Sequence, residues 1–108
     1  MTVESPAEGT VRVALSGELD LQRAYTFDEE LRRLESQSPA LIILDLRDLA
    51  FMDSSGLGRI LACHRRARRA GRHVRIVRDS GPVQRVLSLA ALDEVLDTTS
   101  DASAITAP

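Results

Sequence analysis

The sequence predicts an α/β domain built on a mixed, mostly parallel sheet of four to five strands with three to four helices. Three patterns carry this expectation. Apolar residues alternate with polar ones along Thr10–Gly17, run almost unbroken through Ala40–Leu46, and recur every three to four positions between Leu21 and Ser36. Alternation marks a half-buried strand, and helical spacing marks an amphipathic helix. A continuous aliphatic run suits a central strand covered on both faces. Strands that alternate with helices imply parallel neighbours joined by right-handed crossovers. A chain of 108 residues is expected to form a single domain over 1–108, since two halves would each be too small to bury a useful core.

The elements follow in order. Val3–Ser5 is a candidate edge strand that turns at Pro6–Gly9 into Thr10–Gly17, where Val11, Val13 and Leu15 point one way. Asp20 stands at the N-cap of the first helix, Leu21–Ser36, whose apolar positions are Leu21, Ala24, Tyr25, Phe27, Leu31 and Leu34. Ser38-Pro39 stops that helix, because proline cannot continue it. The buried strand Ala40–Leu46 comes next, then a link containing Leu49 and Phe51. A second helix opens at Asp53-Ser54-Ser55-Gly56, with Leu57, Ile60, Leu61, His64 and Ala67 inward and Gly71 at its end. His73–Val77 is a short strand. Ser80-Gly81-Pro82 starts a third helix, with proline near the first helical position. Val95–Leu96 is a candidate last strand, and Thr98–Pro108 a short helix or a frayed tail.

Composition narrows the function. Two Phe, one Tyr and no Trp force an aliphatic core and leave few platforms for stacking bases. The net charge of −2 gives no general attraction for nucleic acid or anionic membrane, so direct binding to either is not expected. Met1–Pro6 has neither the basic start nor the apolar stretch of a secretory signal, and the apolar run Ala40–Leu44 is far shorter than a membrane span. A cytoplasmic location is therefore expected. The lone Cys63 has no internal disulfide partner, and neither it nor His73 has ligand-spaced companions, so no metal site is expected.

The most informative segment is Asp53-Ser54-Ser55-Gly56-Leu57-Gly58. Asp and Ser are favoured N-caps because their oxygens accept the free N–H groups of a first helical turn. Two glycines so early in a helix each cost about 1 kcal/mol relative to Ala and ask for a reason, such as close approach of another group. These residues suit an ordinary cap first, and they also allow a site where a phosphoserine would meet the positive end of a helix.

Gly17-Glu18-Leu19-Asp20, Asp45-Leu46, Phe51-Met52 leading into the same Asp53–Gly58 string, and Ser80-Gly81-Pro82-Val83 together resemble the STAS domain, and more narrowly the stand-alone anti-sigma factor antagonists, or anti-anti-sigma factors. The resemblance spans Thr2 to Leu96. It implies a STAS-type fold and a partner switch. The unmodified protein would bind an anti-sigma factor that is also a Ser/Thr kinase, freeing a sigma factor. The kinase would use ATP to phosphorylate Ser54 and so release itself, and a PP2C-type phosphatase would restore the hydroxyl. Glu18, Leu19, Asp20, Asp53, Ser54, Ser55, Gly56, Leu57 and Gly58 would form the partner surface. The chain itself would be no enzyme and would hold no cofactor. A non-switching STAS subunit of a lipid-transport or stressosome assembly is the alternative. Three features depart from the family pattern: Arg59, the basic run Arg65–Arg69, and Leu21-Gln22 after Asp20.

Enzymatic rivals lack their parts. All basic residues are Arg, so the Lys of a receiver domain or of a phosphate-binding Gly-Lys-Ser/Thr loop is missing. Ser54 lacks the Gly-x-Ser-x-Gly frame of an esterase, and neither His64 nor His73 stands in the required order. His64 reads as a packing residue of the helix face. The Arg65–Arg72 cluster suits a solvated helix face, or a patch that docks on an acidic protein or nucleic acid.

Overall fold

The computed structural model describes residues 1–78 and 97–99. Five strands form one sheet in sequence order: β1 (Thr2–Ala7), β2 (Thr10–Leu19), β3 (Leu41–Met52), β4 (His73–Val77) and β5 (Asp97–Thr99). Among the described residues, the β1/β2 hairpin is the antiparallel pair and the later pairs are parallel. Helices α1 (Leu21–Glu35) and α2 (Ser54–Arg69) are the crossovers after β2 and β3. The expected third helix at Ser80-Gly81-Pro82 and the candidate strand Val95–Leu96 lie outside the described residues. The last described strand is Asp97–Thr99, which takes Thr98 and Thr99 out of the expected tail.

Alternation in the strands decides where the core sits. Val11, Val13 and Leu15 of β2, Ile42, Leu44 and Leu46 of β3, and Val74 and Ile76 of β4 share one face. Phe27, Leu31 and Leu34 of α1 close over them together with Leu57, Ile60, Cys63 and Ala67 of α2. Leu41, Ile43 and Val77 form a second buried cluster on the opposite face. Burial on both faces is why β3 begins as an unbroken aliphatic run.

β3 is longer than its apolar run. Arg47, Asp48 and Ala50 interrupt the pattern and make the segment resemble a link, yet β2 continues alongside to Leu19 and pairs Ser16 with Asp48, Gly17 with Leu49, Glu18 with Phe51 and Leu19 with Met52. The register slips twice on the way, and Gly17 takes φ +77° there, a conformation other residues rarely adopt. β1 also outruns its expected bounds and includes Pro6, which an edge strand tolerates because one of its sides makes no ladder.

The two helices are joined by charge as well as by apolar contact. Asp28 and Glu35, seven residues apart on α1, are both buried. Glu35 receives two hydrogen bonds from Arg66, Nε to Oε1 and NH2 to Oε2, each 2.8 Å. Arg66 NH2 also reaches Asp28 Oδ1 at 3.3 Å, and Arg72 NH1 donates to the Glu35 carbonyl at 2.8 Å. This corrects the picture of Arg65–Arg72 as one solvated patch. Arg66 and Arg72 clamp α2 to the end of α1, whereas Arg65, Arg68 and Arg69 are exposed.

On the opposite face of the sheet, buried Asp45 accepts from Arg47 Nε at 2.9 Å and Arg47 NH2 at 2.7 Å, and also from Arg12. Burial works against its charge, but the hydrogen bonds from Arg47 and Arg12 outweigh burial and hold the carboxyl down at about 2.

Candidate functional site

The carboxyl ends of β2 and β3 lie side by side, so the helix starts that follow them meet. Asp20 caps α1 by accepting from Arg23 N at 3.1 Å. Asp53 caps α2: its Oδ1 accepts from Ser55 N at 2.9 Å and Gly56 N at 3.1 Å. Its other oxygen, Oδ2, accepts from Leu21 N at 3.1 Å, the first residue of α1. One carboxylate thus satisfies otherwise unpaired N–H groups at both helix starts. The Asp53 backbone N–H also reaches the Leu19 carbonyl at 3.3 Å, extending the strand pairing into the turn.

The two glycines of the turn have different causes. A Cβ on Gly56 would stand 2.5 Å from the Leu19 carbonyl oxygen and 2.7 Å from Leu19 Cγ, so only glycine lets α2 start this close to β2. A Cβ on Gly58 would meet nothing within 4 Å. Gly58 instead forms open floor in a shallow groove of about 320 Å³ between the two helix starts, lined also by Leu21, Ala24, Tyr25, Ser54, Ser55 and Arg59.

The residues singled out in the sequence divide into a surface and its support. Ser54, the first residue of α2, is exposed, as are Glu18 and Gly58, while Asp20, Asp53 and Ser55 are half-exposed. Leu19, Gly56 and Leu57 are buried beneath them. The structure adds neighbours that the sequence reading set elsewhere. Leu21 and Tyr25, counted among the apolar positions of the first helix, are 74% and 69% exposed and line the groove. Ala24, Phe27, Leu31 and Leu34 already make the inward stripe, which left an adjacent Leu/Tyr pair four residues apart on its flank as the available signal. Phe51, 48% exposed, adds another apolar side chain at the end of β3. Arg59 also lines the groove and forms an ion pair, NH1 to Asp28 Oδ2 at 3.8 Å.

Other reactive groups lie away from this surface or are inert. Burial, with Glu35 adding to it, pushes the Cys63 thiol up to about 12, so it stays protonated. Burial, and then Arg68 and Arg65, lower the affinity of His64 for a proton. Among the described residues no three His, Cys, Asp or Glu side chains are grouped to hold a metal, and no helix is long and apolar enough to cross a membrane.

Known proteins resemble this chain in sequence and in fold. The family model described as the STAS domain matches residues 5–104. The chain is 34% identical over 92 residues to the anti-sigma F factor antagonist of Paenibacillus polymyxa, covering 82% of this chain and 76% of that protein. Its fold is shared with an anti-sigma factor antagonist from Mycobacterium paratuberculosis, at a TM-score of 0.86 and 22% identity, covering 96% of this chain and 87% of the other. The Bacillus cell fate determinant SpoIIAA in its phosphorylated form superposes at a TM-score of 0.75 with 25% identity, covering 96% and 95% of the two chains.

Proposed function

The chain belongs to the STAS domain family, and from that premise we propose that it is an anti-sigma factor antagonist whose partner binding is switched by phosphorylation of Ser54. The observation that carries this reading is the exposure of Ser54 on the rim of a groove flanked by two outward apolar side chains, Leu21 and Tyr25. A kinase can reach the hydroxyl, and a protein partner can cover the apolar surface around it. Glu18, Asp20, Ser54, Ser55 and Gly58 supply the contact surface, Asp53 holds the turn, and Leu19, Gly56 and Leu57 support it from below. The partner is an anti-sigma factor with Ser/Thr kinase activity, ATP belongs to that partner, and a PP2C-type phosphatase resets the switch. In this role the chain works in the cytoplasm and performs no catalysis of its own.

Electrostatics supplies the switch. Phosphorylation adds roughly 1.5 to 2 negative charges at pH 7. A helix start ordinarily soothes such a charge, but Asp53 already occupies the Ser55 and Gly56 N–H groups, so little of that relief is left. Two like charges about 5 Å apart repel by roughly 3 kcal/mol at an effective dielectric near 20. With screening, a net penalty of about 2–4 kcal/mol against an acidic partner surface lowers affinity about 30- to 1,000-fold. No refolding is needed.

The test is incubation with a co-encoded anti-sigma kinase and ATP, followed by intact mass. A single phosphoryl gain that disappears in Ser54→Ala supports the switch, with pull-down of the kinase by the wild type but not by Ser54→Asp as its binding counterpart. Absence of any gain, with wild type and Ser54→Asp binding alike, removes the switch and leaves the role of a constitutive subunit in a larger assembly.

A further inference from the structure

Arg59 is placed to receive the phosphate that the proposed function puts on Ser54. It lines the same groove as Ser54 and Ser55, and its near neighbour Gly58 leaves the floor between them without a side chain. Its existing attachment is weak. The Asp28 carboxylate that it approaches at 3.8 Å is already engaged by Arg32 Nε at 3.0 Å and Arg66 NH2 at 3.3 Å. Arg59 is therefore the most distant of three guanidinium groups on one acid, its side chain is 44% exposed, and its 3.8 Å approach to Asp28 is longer than a hydrogen bond. Arg32 and Arg66 can keep Asp28 neutralised if Arg59 leaves. A guanidinium presents several N–H donors to phosphate oxygens and forms short, charge-assisted pairs with them.

We infer that Arg59 is a phosphoserine-binding residue: on modification of Ser54 its guanidinium leaves Asp28, crosses the open floor at Gly58 and pairs with the phosphate inside the groove. The inference rests on Ser54 being the modified residue. Its consequence is a second change beyond added charge. The phosphate and Arg59 fill the groove beside Leu21 and Tyr25, so the modified protein loses the cavity that the unmodified one offers to a partner. Arg59 also offsets Asp53, which as an adjacent anion disfavours full ionisation of the phosphate.

Phosphoserine incorporated at position 54 during synthesis tests this without a kinase, so the result is independent of whether any anti-sigma kinase accepts the chain. The ³¹P resonance is followed through the second ionisation of the phosphate, which has an ordinary midpoint near pH 6. The midpoint is expected to be lower in the protein with Arg59 than in Arg59→Gln by about half a unit or more, with Arg59→Lys between them because it keeps the charge and loses the fork. In the same samples the Arg59 Nε–H resonance is expected to move as the phosphate ionises. Equal midpoints in wild type and Arg59→Gln, or an Nε–H signal that ignores the titration, would overturn the inference. A failed kinase trial beside a lowered midpoint would remove Ser54 as a natural target while leaving the Arg59–phosphate contact demonstrated.

Discussion

Gly56 sits so close to Leu19 that a single added carbon would stand 2.5 Å from the Leu19 carbonyl oxygen. The obstacle is backbone, which cannot swing away as a side-chain tip does. Gly56→Ala is therefore expected to destabilise the protein by about 1–3 kcal/mol through overpacking. Gly58→Ala, two residues on in the same helix, meets open space and is expected to stabilise by up to about 1 kcal/mol through helix propensity. Urea unfolding of the two variants reads the contrast directly, and equal effects would show that the close approach is not a constraint.

Asp53 serves two helices, so its variants should be felt in both. Asp53→Ala removes acceptors from Ser55, Gly56 and Leu21 and is expected to cost about 1–2 kcal/mol. Asp53→Asn keeps one oxygen for the α2 cap but turns an amide N–H₂ toward the Leu21 N–H, and should fall between. Hydrogen exchange is the sharper readout: the Leu21 amide should lose protection in both variants, although it lies 32 residues away in the chain.

Arg66 and Glu35 form the bidentate clamp between α1 and α2. Arg66→Ala leaves a buried carboxylate without its main partner and is expected to cost roughly 2–3 kcal/mol, less than a fully buried pair because Arg66 keeps some contact with water. Replacing both, as Glu35→Met with Arg66→Met, should recover most of that loss. A double-mutant cycle by chemical denaturation measures the difference.

Acid should weaken the protein through Asp45. Its carboxyl is held down at about 2 from an ordinary value of 3.8, so the folded state binds this proton less readily than the unfolded chain. The resulting stabilisation is fully present above about pH 4 and disappears as pH falls toward 2; the shift corresponds to about 2 kcal/mol. Asp45→Asn should be less stable than wild type at pH 6, with the gap narrowing between pH 4 and pH 2. A gap that stays constant over this range would contradict the assignment.

Tyr25 is outward and holds no core position, so Tyr25→Ala should change stability by no more than about 0.5 kcal/mol. If the groove is the docking surface proposed above, the same variant should weaken binding of the unmodified protein to its anti-sigma partner at least about tenfold. Titration calorimetry with wild type, Leu21→Ala and Tyr25→Ala provides the comparison.

Much of this was legible in the sequence, and the exceptions share a cause. Asp20 and Asp53 announced their helices because capping is local: the acceptor and the N–H groups it serves are within three residues of each other. The aliphatic run at Leu41–Leu46 announced a central strand for the same kind of reason. The extension of β3 through Arg47–Met52 was hidden, since its pairing depends on β2 continuing with two register slips that no local pattern reports. The outward turn of Leu21 and Tyr25 was hidden too. Periodicity identifies a stripe, but packing across α1 and α2 decides which residues at its edge are covered. Arg66 looked solvated along its own helix and was half-buried only because Asp28 and Glu35 come from another.

The Asp53 carboxylate has a consequence for how the proposed mark on Ser54 would be sensed. Its two oxygens tie the entrance of one helix to the entrance of the other, so a tug on the first is transmitted to the second across a single functional group a few ångströms wide. A new anion beside it need not travel through the sheet or the core to be noticed on α1. The protein has, in effect, a rivet at its busiest corner, and whatever loosens that rivet opens two seams at once.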